Sequence, residues 1–206
     1  NASHELQTPL AVLGNRIEWM MDNTALTEEQ FGELSKMRQS IHRLVRLNRT
    51  LLLLSRIDSG HFLDKADVDI VPVIENELEV YNEIFADKGI TCNVKVPQRF
   101  VVQMDEMLAT TMVSNLIKNA FLYTPKGGNI SVTFSDDGFS VSNSGDASLD
   151  KEKVFRRFYQ PAGRREGATG LGLALVYTVC VNNGLEISYD FRDGRHIFAV
   201  ILKKSK

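Results

Sequence analysis

His4-Glu5-Leu6-Gln7-Thr8-Pro9-Leu10 stands almost at the start of the chain, and the residues after it continue a single pattern. Read as a helix turning about 100° per residue, Leu6, Leu10, Leu13, Ile17 and Met20 recur at intervals of 4, 3, 4 and 3, a narrow apolar stripe of the coiled-coil kind. His4 then falls about 160° from Leu6, on the solvent-facing side, and Thr8 lies one turn on along that same side. Pro9 has no amide hydrogen and its ring crowds the Glu5 carbonyl, so a kink is expected beside the histidine. The stretch thus displays an imidazole on a bent helix with a hydroxyl below it. A single exposed histidine is ordinarily a solvated residue. Zinc binding of the HExxH kind is excluded, because Thr8 occupies the place of the second histidine.

Working outward, Asp22-Asn23-Thr24-Ala25-Leu26-Thr27 is polar and turn-prone, and Thr27 with Gln30 has the pattern of a capping box. A second helix is predicted from about Glu28 to Asp58. There Leu34, Met37, Ile41, Leu44 and Leu51 hold heptad spacing, interrupted at Asn48, and Val45, Leu47, Leu52 and Leu54 widen the stripe. Ser59-Gly60 ends it. Two short-linked helices cannot bury faces this wide alone. The economical arrangement is a homodimer forming a four-helix bundle, with a monomeric hairpin packed on a second domain as the alternative.

Past residue 60 the pattern changes. Residues 61–69 read as a linker, and residues 70–206 as a second domain of mixed pattern. Helices are predicted at Val71 to Ala86, with Pro72 tolerated in the first turn, at Asp105 to Leu122, and at Leu173 to Asn183. Strands are predicted at Thr91 to Val96, Phe100 to Gln103, Asn129 to Ser135, Phe139 to Asn143, Glu186 to Phe191 and His196 to Leu202. The turns Asp136-Asp137-Gly138 and Arg192-Asp193-Gly194 are hairpin signals. The fold class is α+β: a helical hairpin, then a helix layer on an antiparallel or mixed sheet, an α/β sandwich.

The charge balance of 24 basic against 26 acidic residues gives no general attraction to nucleic acid or acidic lipid. Cys92 and Cys180 are far apart and in no CxxC pattern, which suits buried thiols in a reducing compartment. No apolar run approaches 18 residues. The chain opens inside a predicted helix with no cap or leader before His4, so upstream segments, membrane spans among them, are expected to precede it.

Three groups in the second domain carry chemistry. Asn115 and Asn119 in Asn115-Leu116-Ile117-Lys118-Asn119-Ala120 are i, i+4 neighbours, so both carboxamides leave one helix face. Paired carboxamides are poor helix formers, and their oxygens suit hard Mg²⁺ shared with waters and nucleotide phosphates. Gly167-Ala168-Thr169-Gly170-Leu171-Gly172-Leu173 opens straight into a helix, whose first amides can meet phosphate oxygens where glycines permit close approach. It is neither a Walker loop nor the dinucleotide fingerprint. Val141-Ser142-Asn143-Ser144-Gly145 stands at a strand end, a place for a polar side chain to read a base edge. Taken singly, these groups are also a surface asparagine pair, a flexible loop and a plain strand exit.

Taken together, in order and spacing, they resemble the transmitter region of a sensor histidine kinase of two-component signalling, over essentially the whole chain. His4 to Leu10 is similar to that family's phosphoacceptor box and Asn115 to Pro125 to its asparagine box. Asn143 and Gly145 match its first glycine box, Phe155-Arg156-Arg157-Phe158-Tyr159 its phenylalanine box, and Gly170-Leu171-Gly172-Leu173 its second. The resemblance implies ATP and Mg²⁺ as cofactors, with His4 attacking the γ-phosphate and Glu5 accepting or orienting the ring proton. It implies Mg²⁺ on Asn119 with Asn115 helping, Tyr123 flanking the adenine and Asn143 reading its amino group. A lid from Tyr159 to Thr169 would bring Arg164 and Arg165 to the phosphates, and Thr8 would position a water for dephosphorylating a partner. The implied partners are a second copy and the aspartate of a response regulator. The implied setting is the cytoplasmic portion of an inner-membrane sensor.

Departures from the family pattern are Asn143 for aspartate, Ala147 for the box's second glycine, Leu122 for lysine and Gln7 for arginine. A neutral amide at Asn143 still accepts from an amine but predicts weaker ATP binding. Asn143 and Leu122 also motivate a different reading, a degenerate nucleotide-responsive scaffold that signals by shape alone. A clamp ATPase of the same nucleotide-binding superfamily is a third, disfavoured by the helical hairpin with its histidine.

Overall fold

The computed structural model describes residues 2–61, 64–161 and 168–202, with side chains from Leu6 onward. The described residues divide into two compact units, one of residues 2–56 with 168–169 and the other of the rest, from Ile57 onward.

The first unit holds α1 (Ala2–Asn23) and most of α2 (Glu28–Asp58). The capping box forms in full: the Gln30 amide donates to Thr27 Oγ1 at 3.2 Å and the Thr27 amide to Gln30 Oε1 at 3.0 Å. Pro9 lies inside α1, which runs unbroken past it. A methyl at Gly14 would make only an ordinary contact with the Ile41 side chain, at 3.8 Å. Of the predicted stripes, among the described residues, Ile17 on α1 and Leu34 and Leu54 on α2 are buried; Leu6, Leu13, Met20, Met37 and Leu44 remain exposed. Asn48, where the heptad breaks, has a buried Nδ2 without a hydrogen-bond partner among the described residues. Gly60 stops α2 at φ 69°, its amide donating to the Ile57 carbonyl.

The second unit continues with β1 (Ala66–Asp69), α3 (Val71–Ile84), β2 (Thr91–Val94), β3 (Val101–Met104), α4 (Glu106–Tyr123), β4 (Asn129–Ser135), β5 (Gly138–Ser144), α5 (Gly172–Asn182), β6 (Leu185–Arg192) and β7 (Arg195–Leu202). Five strands form one mixed sheet in the order β2-β4-β5-β7-β6, parallel only between β2 and β4. Alternate residues of β5 and β7, including Val141, Asn143, His196, Phe198 and Val200, are buried, and α4 and α5 cover the sheet while α4 also packs on α3. This is the predicted α/β sandwich.

One prediction needs correction. Residues 66–69, read above as linker, form a strand paired antiparallel with β3 in a separate two-stranded sheet. Ala-Asp-Val-Asp offers a single buried apolar side chain, Val68, so no period-2 signal exists to find. Asp69 secures the junction, its carboxylate accepting from the amides of Val71 and Phe100.

The hairpin glycines differ in purpose. Asp193 and Gly194 both take positive φ, 51° and 68°, as a mirror-image two-residue turn requires. Gly138 does not; there a Cβ would lie 2.3 Å from the Val200 carbonyl oxygen, so close packing excludes it. The helix that carries the asparagines is fixed at both ends. Asp105 Oδ1 accepts from the amides of Met107 and Leu108. At the other end Lys88 Nζ donates to the carbonyls of Phe121, Leu122 and Thr124 at 2.7, 3.0 and 3.0 Å.

Candidate functional site

Asn115 and Asn119 lie half-buried on one face of α4, as their spacing predicts. Asn115 Nδ2 donates to the Thr111 carbonyl at 2.8 Å, which turns its Oδ1 outward as an acceptor. That oxygen faces the first residue of α5: a Cβ on Gly172 would sit 3.0 Å from it. The asparagine box and the second glycine box therefore meet through one amide oxygen and one missing methyl. A hard oxygen donor held open in this way fits Mg²⁺, and a glycine opening a helix fits phosphate. A surface cavity of about 580 Å³ continues along α4 from Glu106 to Asn115 and touches the cluster only through Asn115.

Gly170, at φ 68°, joins the same region to the phenylalanine box. Its carbonyl accepts from the Phe158 amide at 2.8 Å, and a Cβ on it would lie within 2.7 to 2.9 Å of the Phe158 and Tyr159 backbone. Phe158 itself has φ 65°, a left-handed conformation uncommon for a residue with a side chain. Phe155 anchors the segment, stacked on Tyr177 of α5 at 5.8 Å and edge-on to Phe198. Leu171 is fully buried beneath the turn, whereas Leu173 and Thr169 are half-buried.

At the far end of β5, Asn143 is buried, with Nδ2 donating to the Ser144 carbonyl at 3.0 Å. Its oxygen is thereby left as the acceptor that reading an adenine amine requires. Gly145 follows, tied to the β6–β7 turn by its amide donating to the Gly194 carbonyl. Tyr123 is half-buried at the end of α4.

Thr8 is exposed on α1, where His4 and Glu5 also lie by backbone. The His4 and Glu5 side chains, and Arg164 and Arg165 in residues 162–167, fall outside the described residues.

Two buried polar residues at the site were not singled out from sequence. Thr124, fully buried, donates to the Ala120 carbonyl, and His196 faces Asn143 across the β5–β7 ladder. His196 Nδ1 is 2.9 Å from the Tyr189 hydroxyl, which accepts from the Leu149 amide. Burial holds the imidazole below the ordinary histidine range, and Asp146 acts weakly against that. The signal available was a histidine at an inward position of a strand, which stands out only once the strand register is known.

Two families match this chain: His Kinase A (phospho-acceptor) domain over residues 1–60, and Histidine kinase-, DNA gyrase B-, and HSP90-like ATPase over residues 104–205. Sensor-like histidine kinase SenX3 of Mycolicibacterium smegmatis is 32% identical over 200 residues, covering 89% of this chain and 50% of the relative. Signal transduction histidine-protein kinase BaeS of Escherichia coli is 30% identical over 203 residues, covering 87% and 39%. The chain therefore spans half or less of these two relatives. A structure of full-length ShkA in complex with AMPPNP aligns with a TM-score of 0.71 at 25% identity, over 99% of this chain and 46% of that one.

Proposed function

The chain belongs to the sensor histidine kinases of two-component signalling, and on that premise we propose that it is an ATP-dependent protein-histidine kinase core whose phosphoacceptor is His4. The imidazole nitrogen of His4 attacks the γ-phosphorus of ATP. A P–N bond forms, the P–O bond to ADP breaks, and the ring proton passes to Glu5. Asn119 and Asn115 would hold Mg²⁺, which would supply positive charge to the phosphates. Tyr123 flanks the base and the Asn143 oxygen accepts from its amine. Gly145 and Gly170 shape the backbone by making room for His196 and for the Phe158–Tyr159 backbone, Gly172 leaves the Asn115 oxygen clear, and the turn Thr169 to Leu173 sets the first amides of α5 toward the phosphates. Arg164 and Arg165 add positive charge from the lid. The phosphoryl group then passes to an aspartate of a response regulator, and Thr8 positions the water when the chain removes it again.

In this reading residues 1–60 are the dimerisation and phosphoacceptor domain, 61–65 the connection, and the chain from β1 onward the ATP-binding domain. A second copy covers the apolar stripe that one hairpin leaves exposed. The chain is the cytoplasmic portion of a longer membrane sensor; no helix among the described residues is long and apolar enough to cross a membrane.

The observation that carries the proposal is the Asn115 oxygen held open against Gly172, and the AMPPNP complex of the similar ShkA supports nucleotide binding. The test is incubation with γ-labelled ATP and Mg²⁺. Acid-labile label that is absent from His4→Gln supports the kinase. Nucleotide bound with no label transferred points instead to a nucleotide-responsive scaffold.

A further inference from the structure

We propose that His196, together with Tyr189, is the positioning residue for the base-reading segment Asn143–Gly145, and that it performs this role only as a neutral imidazole, so that acid weakens nucleotide binding. This rests on the nucleotide reading of the site above.

His196 is enclosed by that segment. It lies directly across the ladder from Asn143, and a Cβ on Gly145 would come within 2.2 Å of its Nε2. The ring therefore fills the volume that Gly145 leaves empty and fixes how the backbone leaves β5. On its other side it stacks on Tyr189 and tilts against Phe191, with ring centroids 5.9 and 5.0 Å away.

The hydrogen bonds favour one protonation state. The Leu149 amide donates to the Tyr189 oxygen at 2.9 Å, which directs the hydroxyl's own hydrogen to His196 Nδ1, also 2.9 Å away. In that arrangement Nδ1 accepts and the ring is neutral, which pairs both groups at once. A proton on Nδ1 would make the ring a second donor to the phenolic oxygen and turn the hydroxyl hydrogen away to another acceptor. The Leu149–Tyr189–His196 chain, which joins the loop after Gly145 to β6 and β7, would be disrupted.

The surroundings offer little compensation for a positive charge. Asp146, the carboxylate whose field reaches the ring, is exposed. Tyr189, Phe191, Asn143 and Gly145 are neutral, and α5 (GLALVYTVCVN) carries no charged residue. Burial depresses the imidazole's proton affinity accordingly.

The experiment measures ATP affinity of the 206-residue chain with a fluorescent analogue from about pH 8 to about pH 5.5, with circular dichroism at each pH to confirm folding. The native chain should lose roughly tenfold more affinity over this range than His196→Asn, whose remaining slope reports the nucleotide's own titration. Tyr189→Phe, which keeps the ring and removes the hydroxyl, should bind several-fold more weakly at the alkaline end. If His196→Asn does not fold, NMR titration of His196 in the native chain decides: by linkage its midpoint must move to lower pH when ATP binds. Equal slopes in native chain and His196→Asn, undiminished binding by Tyr189→Phe, or an unmoved midpoint each overturn the proposal. A native chain that binds no nucleotide at alkaline pH overturns the nucleotide reading instead.

Discussion

At Gly172 a single methyl separates two outcomes that ordinarily go together. Alanine is the better helix former, by about 0.5–1 kcal/mol, so Gly172→Ala should leave the melting temperature unchanged or raised. Its Cβ would nonetheless arrive 3.0 Å from Asn115 Oδ1 and displace the amide from its outward pose. Titration calorimetry should show Mg-ATP affinity reduced about tenfold, a loss of about 1.4 kcal/mol; retained affinity would mean that the Asn115 oxygen takes no part. Cys180 presents the opposite case, a reactive group type with no site around it. Burial pushes its thiol up to about 12, so a thiol reagent at neutral pH should label it only after denaturant is added. The asparagine pair was legible because i, i+4 spacing is a local property of a helix. His196 was not, because its meaning depends on pairing with Asn143, set by the register of two strands distant in sequence.

Among the elements, α4 is the one whose ends matter most, since both asparagines take their direction from it. Asp105→Ala removes the acceptor for two amides and should cost about 1 kcal/mol in chemical denaturation. Lys88→Met removes three bonds to the carbonyl end and should cost about 1–3 kcal/mol. In α2 the expected sign reverses. Asn48→Leu replaces a buried, unpartnered amide nitrogen with an apolar side chain, so the chain should gain about 1 kcal/mol and melt a few degrees higher. The helices were readable because caps and heptads repeat within a few residues: Thr27 and Gln30 form the reciprocal pair their spacing announces. Strand β1 was not, because four residues with one buried side chain carry no period. The reason for Gly138 was hidden as well, since it lies in the backbone of a strand across the sheet.

Taken as a whole, the molecule sets an exposed apolar stripe on its helical hairpin and a polar cluster on its α/β unit. The stripe predicts self-association. Sedimentation should give twice the chain mass, and Leu13→Glu with Leu44→Glu should return the monomer, because burying two added charges at a dimer seam is prohibitive. The two-part organisation could be read from sequence because the apolar period changes after Gly60. The geometry within the cluster could not, because it depends on side chains from α4, β5 and α5 meeting in space. The most direct test of the central claim is intact mass spectrometry of the chain at neutral pH after Mg-ATP addition, with fragmentation to locate any phosphoryl group. The account predicts one phosphoryl group on the imidazole of His4, lost on brief acid treatment. Bound nucleotide with His4 unmodified, or a phosphoryl group on a hydroxyl residue, would contradict it.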